Sequence, residues 1–275
     1  SADDSLLISA IEQCNNLVLP CSAVYDAKSR SCTGYTGSFF YNMLATEKNY
    51  GAINLAGNDM QSLIREFRPF HLYNGDTITS FATALAKIAS PDSYRILKER
   101  DNAMETINFP AYEFDVYTPQ EVLEFSDELE GKIVLIGSIE EPWDFHVTPV
   151  SSQMPGIMIH AHSIATILNN IYIKELDGWM IWLIAIILST IMLIIKDKLD
   201  NIKFESFIMR IIQMLMLYLI IVTGYSFYNN WHLSIDFAIP LMMVGLIFAA
   251  RDICNGGESL IQTIKEKIGK RKNRS

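Results

Sequence analysis

Two long runs of this chain carry no charged side chain, and they constrain its fold more than any other feature. Residues 178–195 and 211–235 are 18 and 25 residues long and consist mainly of large apolar side chains. Since an α-helix rises about 1.5 Å per residue, the shorter run extends about 27 Å, close to the hydrocarbon thickness of a bilayer. Both runs therefore predict membrane-spanning helices, and Trp179 and Trp182 fall where interfacial aromatic side chains are expected.

A third and weaker apolar run follows Asp236. Residues 237–250 are uncharged, but they number 14 and include Pro240. They span a bilayer if residues 233–236 lie at the interface; otherwise they form a re-entrant or interfacial segment. We predict a membrane block of three α-helices, at residues 178–195, 211–230 and 233–250.

Basic residues set the predicted orientation of this block. Residues 1–177 hold 11 basic and 24 acidic side chains, whereas residues 251–275 hold 7 basic and 3 acidic ones. Loops rich in lysine and arginine stay in the cytoplasm, so we expect a multi-pass protein of the cytoplasmic membrane with residues 1–177 outside and the tail inside. The acidic balance argues against a nucleic-acid partner. The loop between the first two runs is also basic, through Lys196, Lys198, Lys203 and Arg210.

Residues 1–176 alternate between helical and extended patterns, which predicts an α/β domain with helices packed on a sheet. Thr118 followed by Pro119 is typical of a capped helix start. The apolar run 132–136 reads as a short buried strand closed by Gly137. Other predicted helices are residues 3–13, 38–46, 77–88 and 162–168, and other predicted strands are residues 17–25, 51–55, 106–109 and 156–159.

Several motifs occur in a specific order along this domain. They are GKIVLIG at 131–137, Asp144, Thr148-Pro149, Pro155-Gly156 and Ile159-His160-Ala161, preceded by DDSLLISAI and by GAINLAGNDMQSLIREFRPF at 51–70. This ordered set resembles the CHASE-type extracellular sensor domains of the second class. The resemblance implies a sensory function, and the family's three following membrane helices agree with the predicted block. The family normally begins with a membrane helix and a further strand–helix portion, and commonly carries a cyclase or kinase output domain. We therefore expect a sensor domain incomplete at its amino end.

Four polar residues, Asp144, His146, His160 and His162, form the densest candidate site. Two histidines and a carboxylate could hold a zinc ion. The alternative is that these groups form hydrogen bonds that order the loops around a ligand pocket. The second interpretation is favoured, with no metal and no cofactor predicted. We expect Asp144 and His160 to face each other, or to share a hydrogen-bonded neighbour, near the carboxyl end of the 132–136 strand.

Two further pairs of residues have a candidate function or a candidate covalent bond. Arg65 and Arg68 could clamp an anionic ligand, or be ion-paired surface groups in an acidic domain. Cys21 and Cys32 bracket a polar loop that a disulfide could close, but two free thiols are equally consistent with the pattern.

The favoured function is a membrane-bound sensory receptor subunit. It would detect an unknown extracytoplasmic ligand and act on a cytoplasmic or membrane effector protein. The alternatives are a structural or scaffolding envelope protein, and a fragment of a sensor cyclase or kinase. No phosphate-binding loop or nucleophile elbow occurs in the sequence, so we do not expect an enzyme. In the tail, an apolar stripe beside lysines suits a membrane-surface or partner helix, or a simple stop-transfer flank: Leu260, Ile261, Ile264 and Ile268.

Overall fold

A computed structural model describes residues 2–26, 31–37, 44, 49–56, 62–73, 76–109, 113–199 and 204–247. The chain divides into two compact units, Ser1–Ile173 and Lys174–Ser275, close to the predicted boundary at residue 176. The predictions for the tail, including its apolar stripe, lie outside the described residues, as does the helix predicted at 38–46 except for residue 44.

The first unit contains a three-stranded sheet around β1 (Val18–Tyr25), which confirms the strand predicted at 17–25. The partner β2 (Cys32–Gly37) is antiparallel, and β3 (Asn49–Ala52) is parallel. Gly51 permits close packing on this sheet, because a Cβ there would lie 2.4 Å from the Cα of Phe81. A glycine is therefore required where the next helix crosses β3.

Four short strands follow, and they form two antiparallel ladders. Strand β4 (Glu66–Phe67) pairs with β7 (Glu105–Thr106), and β5 (Phe70–Tyr73) pairs with β6 (Asp76–Thr79). The helix predicted at 77–88 is wrong in its first turn, because these residues continue the β5–β6 hairpin.

Most helices of the first unit begin with a side-chain cap. Helix α1 (Ala2–Gln13) opens the chain, and α2 (Phe81–Ala89) begins where the Ser80 hydroxyl accepts the Thr83 N–H at 3.2 Å. Ser90 caps α3 (Pro91–Arg100) in the same way. Thr118 and Glu121 form a reciprocal capping box at α4 (Pro119–Glu124), which confirms the predicted helix start.

The core of the first unit lies between helices α2, α3 and α5 (Gly156–Leu168). Two predictions fail here. Residues 156–168 form one helix instead of a strand followed by a helix. This helix is buried from Ala161 through Ile167, and a continuously buried apolar run lacks the periodicity that separates a helix from a strand. Residues 132–136 are not a strand: in this segment Leu135 packs against the core, while Ile136 is 95% exposed.

A buried ion pair links α3 to β7. The Arg100 guanidinium donates to both carboxylate oxygens of Glu105, at 2.7 and 2.9 Å, and Asn102 donates to the same carboxylate at 3.0 Å. Glu105 is 2% exposed, and the guanidinium lies 4.2 Å from the centre of the Tyr172 ring. The hydrogen bonds that Arg100 donates to Glu105 raise the pKa of the guanidinium. The cation therefore holds three separate segments together.

The second unit consists of apolar helices. Helix α6 (Gly178–Leu199) and residues Phe207–Trp231 of α7 (Glu205–Trp231) are each long and apolar enough to cross a membrane. Helix α8 is described over ten residues, Ala238–Ile247, so the third predicted span is not established by length. Strands β10 (Lys174–Glu175) and β11 (Leu233–Ser234) form a short parallel ladder beside the ends of α6 and α7.

Polar and close contacts fix α8 against α7. The Gln213 amide donates to the carbonyl oxygens of Val244 and Gly245, at 2.8 and 2.9 Å. A Cβ on Gly224 would lie 2.1 Å from the Phe237 ring, so this glycine admits the aromatic side chain. Gln213 precedes Gly224 along α7, whereas its partner Val244 follows Phe237, the partner of Gly224. Helices α7 and α8 are therefore antiparallel.

We predict that Arg100→Leu destabilises the first unit by about 3–5 kcal/mol, because it leaves the buried Glu105 carboxylate without its cation. Arg95→Leu is the matched control, since Arg95 pairs at the surface with Asp92 at 3.0 Å. That exposed pair contributes at most about 1 kcal/mol. Unfolding of the full chain in detergent, followed by pulse proteolysis in urea, measures both; equal losses would contradict the prediction.

Candidate functional site

The candidate site is built around the amino end of α5. Residues Pro142–Asp144 form a single 3₁₀ turn, and the Asp144 carboxylate accepts the Gly156 N–H at 3.1 Å. The residue that precedes α5, Pro155, supplies no side-chain cap. Asp144 therefore provides the acceptor and the negative charge that stabilise a helix amino end.

A small ladder brings Asp144 to this position. Strand β8 (Phe145–His146) pairs antiparallel with β9 (Met154–Pro155), so the residues that flank the ladder, Asp144 and Gly156, face each other. A Cβ on Gly156 would lie 2.6 Å from the Asp144 carboxylate. The loop between the strands is closed by Thr148, whose hydroxyl accepts the Ser151 N–H at 3.1 Å. The sequence thus requires glycine at 156 for the carboxylate to approach.

His146 and His160 complete the group around Asp144. The Nε2 atom of His146 lies 3.5 Å from the Asp144 carboxylate. His160 forms a hydrogen bond with the backbone of Ile53, and its ring meets that of Phe81 edge-on at 5.6 Å. Burial lowers the pKa of His160 to about 4, and the Asp144 charge opposes this shift in part. The structure therefore brings three of the four predicted polar residues together.

His162 lies elsewhere. Because α5 turns about 100° per residue, His160 and His162 point about 200° apart. The His162 ring packs against Phe109 and Phe114, at 5.3 and 4.9 Å between centroids, and burial lowers its pKa. The expectation that strand alternation would place both histidines on one side is wrong, because the strand is a helix.

The described residues contain no group of three His, Cys, Asp or Glu side chains arranged to hold a metal ion. The Asp144 group, which consists of Asp144, His146 and His160, contains a carboxylate, the imidazole of His146 and the partly buried neutral imidazole of His160. These groups accept and donate hydrogen bonds at one end of a helix. Such an arrangement suits recognition of a small polar ligand, or of a change in a neighbouring loop.

Arg65 and Arg68 are both exposed, and they contribute to different surroundings. The backbone carbonyl of Arg65 accepts the Ile107 N–H at 2.9 Å. The positive charge of Arg68 acts instead on Tyr25 and His71, whose side chains are hydrogen-bonded through the tyrosine hydroxyl and Nδ1. Burial, followed by Arg68, lowers the pKa of His71 to about 4.

The sequence did not indicate this second group. Tyr25 and His71 are 46 residues apart, and neither belongs to a recognisable motif. Tyr25 is the last residue of β1, and His71 is a buried residue of β5, 2% exposed. The fold brings these two residues together. Chain topology, which single-sequence patterns do not encode, creates the contact.

Cys21 and Cys32 are free thiols in the structure, and the disulfide is not formed. The strand register pairs Cys21 with Gly37 and Cys32 with Tyr25, so the cysteines are four residues out of register. That offset separates their Cα atoms by roughly 13 Å, beyond the range of about 7 Å that a disulfide bridges. Both side chains are buried in one apolar cluster with Ala23 and Ala52, and burial raises the pKa of Cys21.

The fold and the site define a mixed α/β domain joined to apolar helices that could cross a membrane. The model of the CHASE2 domain family matches residues 1–195, and the chain belongs to this family. CHASE2 domains are sensory extracellular domains of cyclases and kinases, which confirms the resemblance seen in the ordered motifs. No curated protein and no solved structure matches the chain significantly.

We predict that His160 makes the domain sensitive to acid. The pKa of His160 is about 4 in the folded chain, compared with the ordinary value of 6.5 that applies to the unfolded chain. Between these two pH values the unfolded chain therefore binds a proton that the folded chain does not bind. Stability therefore falls by up to about 1.4 kcal/mol per pH unit as the pH drops through this window.

His160→Gln should remove this slope, while leaving the dependence on His71 in place. Denaturant unfolding of the two proteins over a pH series measures the difference between their slopes. Parallel curves for the wild-type chain and the variant would contradict the assignment.

Proposed function

We propose that this chain is a membrane-bound sensory receptor subunit. Its CHASE2 domain detects an extracytoplasmic signal at the Asp144–His146–His160 group, and the membrane helices pass a displacement to an effector at the cytoplasmic face. The subunit acts by binding and movement, without catalysis of its own. The observation that carries this proposal is the hydrogen bond from Gly156 to Asp144.

That hydrogen bond connects a loop to α5, the helix of the first unit that precedes α6 along the chain. A ligand that displaces Asp144 removes the cap of α5, and nine residues separate the end of α5 at Leu168 from the start of α6 at Gly178. A ligand shifts an equilibrium when it binds one of two arrangements more tightly. Asp144, held by one backbone N–H and one histidine, has the few contacts that such a switch requires.

Three spans are proposed, with α8 in the third. The antiparallel contacts of α8 with α7, such as that from Gln213 to Val244, support this topology, because a third span must run back along the second. The β10–β11 ladder also supports it, since the segments before α6 and after α7 then lie on one side of the membrane. The basic residues put that side outside.

The proposal predicts that loss of the Asp144 cap changes the output of the membrane helices. We would fuse a nucleotide-cyclase catalytic domain after residue 250 and measure the basal cyclic nucleotide level in cells. Asp144→Ala should change this level about fivefold, since loss of a helix cap costs about 1 kcal/mol. Asp92→Ala is the matched control, because Asp92 is an exposed acid in the first turn of α3.

Gly156→Ala tests the same contact from its other side, since the added Cβ displaces the carboxylate. Its control is Gly34→Ala, where a Cβ meets no atom within 4 Å. If both site variants are expressed normally and leave the basal cyclic nucleotide level unchanged, the proposed coupling through Asp144 is wrong.

The topology has its own test, in a chain whose other three cysteines are serine. We predict that Cys254 resists a membrane-impermeant maleimide in intact cells and reacts after permeabilisation. Asp177→Cys, with Cys254 also replaced, should react in both conditions because residue 177 lies outside. Labelling of Cys254 in intact cells would exclude a three-span arrangement.

A further inference from the structure

A short row of hydrogen bonds runs between the apolar helices of the second unit. The Gln213 side chain is 5% exposed, and its amide nitrogen donates to two carbonyl oxygens of α8, that of Val244 at 2.8 Å and that of Gly245 at 2.9 Å. The amide oxygen accepts an N–H of the Arg210 guanidinium at 3.2 Å. Both polar atoms of this buried amide therefore have partners, and the amide connects α8 to a cation on α7.

Arg210 lies near the end of α7 where lipid headgroups are expected. The stretch of α7 that could cross a membrane begins at Phe207, so Arg210 is about 4.5 Å along the helix axis from that end. The preceding helix α6 carries Lys196 and Lys198 in its last turn, so basic side chains gather on one side of the proposed membrane. Long basic side chains in such positions extend toward the headgroups.

The Arg210 guanidinium has no acidic partner among the described residues. Arg210 is exposed, and its side chain donates one N–H, to the neutral amide of Gln213. The ion pairs of the described part of the chain involve other residues. A guanidinium has five N–H donors, so four remain for another acceptor. At the edge of a bilayer that acceptor is a lipid phosphate, whose oxygens fit two parallel N–H groups of an arginine.

We propose that Arg210 binds the phosphate of an anionic lipid, and that this contact holds α8 in place through Gln213. A phosphate on the remaining N–H groups fixes the guanidinium where it donates to the Gln213 oxygen. Successive hydrogen bonds strengthen one another, so the amide is then held more firmly on the carbonyls of α8. The lipids of the inner leaflet thereby regulate the packing of the membrane helices. This inference rests on the membrane placement proposed above and not on the Asp144 group.

The first measurement is lipid binding to the full chain by native mass spectrometry. Phosphatidylglycerol is the probe, because its phosphate charge is not balanced by a choline cation as it is in phosphatidylcholine. Arg210→Gln should weaken binding about tenfold, since it removes a charge-assisted contact at two points. Lys198→Gln is the matched control, because Lys198 is an exposed cation on the same side whose ammonium no other described side chain holds. It should change the affinity less than about twofold.

The second measurement is hydrogen exchange of the Gln213 side-chain amide. The full chain is isotopically labelled at its glutamine side chains and placed in nanodiscs, and the resonance of this amide is identified by its loss in Gln213→Leu. Nanodiscs that contain phosphatidylglycerol should slow the exchange at least about threefold relative to phosphatidylcholine alone, because the lipid opposes local opening. Arg210→Gln should abolish this difference, whereas Lys198→Gln should preserve it.

The inference is wrong if Lys198→Gln weakens lipid binding as much as Arg210→Gln does, because the attraction then belongs to the basic surface as a whole. It is also wrong if soluble glycerol phosphate slows the exchange in phosphatidylcholine nanodiscs, since the site then takes a free anion. Lipid that binds at Arg210 without an effect on the Gln213 amide contradicts the coupling to α8. Membrane insertion is measured separately by the labelling of Cys254, so these outcomes in an inserted chain leave the proposed topology standing.

Discussion

Helix α5 begins without a capping side chain of its own, and the carboxylate of Asp144 supplies the missing acceptor from twelve residues earlier in the chain. The first N–H groups of any helix need such a partner, and a negative charge there is stabilising. The consequences reach well beyond the loop. Helix α5 carries Ile159 and Ile167 into the core against α2 and α3. One hydrogen bond at the surface thus caps the element around which the domain packs, and His146 lies beside the same carboxylate.

Local signals in the sequence predicted local structure well. The Thr118–Glu121 capping box depends on two residues that are three positions apart, and β1 depends on the composition of one short segment. Both can therefore be predicted from the sequence without knowledge of the fold. The apolar runs that became α6 and α7 are equally local. Residues 132–136 have the composition of a buried strand, but a strand also needs a neighbour, and composition does not say whether one is present. Whether residues 132–136 form a strand therefore depends on pairing with another segment, and local sequence patterns carry no information about that pairing.

The sequence predicted part of the candidate site, because some of its residues are close in sequence and others depend on the backbone conformation. Asp144, His146 and His160 stand out because polar groups are dense in that stretch, and the structure gathers all three. Whether His162 joins them depends on the period of the backbone, two residues in a strand and 3.6 in a helix. The short apolar run at 156–159 fits both periods, and in the structure it forms the first turn of a helix. The Tyr25–His71 pair, joined across strands far apart in sequence, lies beyond any local reading.

The two-residue ladder between β10 and β11 has a mechanical meaning. The N–H of Lys174 donates to the carbonyl of His232 at 2.8 Å, and the N–H of Leu176 donates to that of Ser234 at 3.1 Å. The strand that enters α6 is thereby fastened to the strand that leaves α7 and leads into α8. Force arriving at Lys174 is shared among three helices instead of being borne by one. In the proposed receptor, the body that responds would be a bundle, for which tilting or sliding as a block takes less distortion than turning a single helix about its axis.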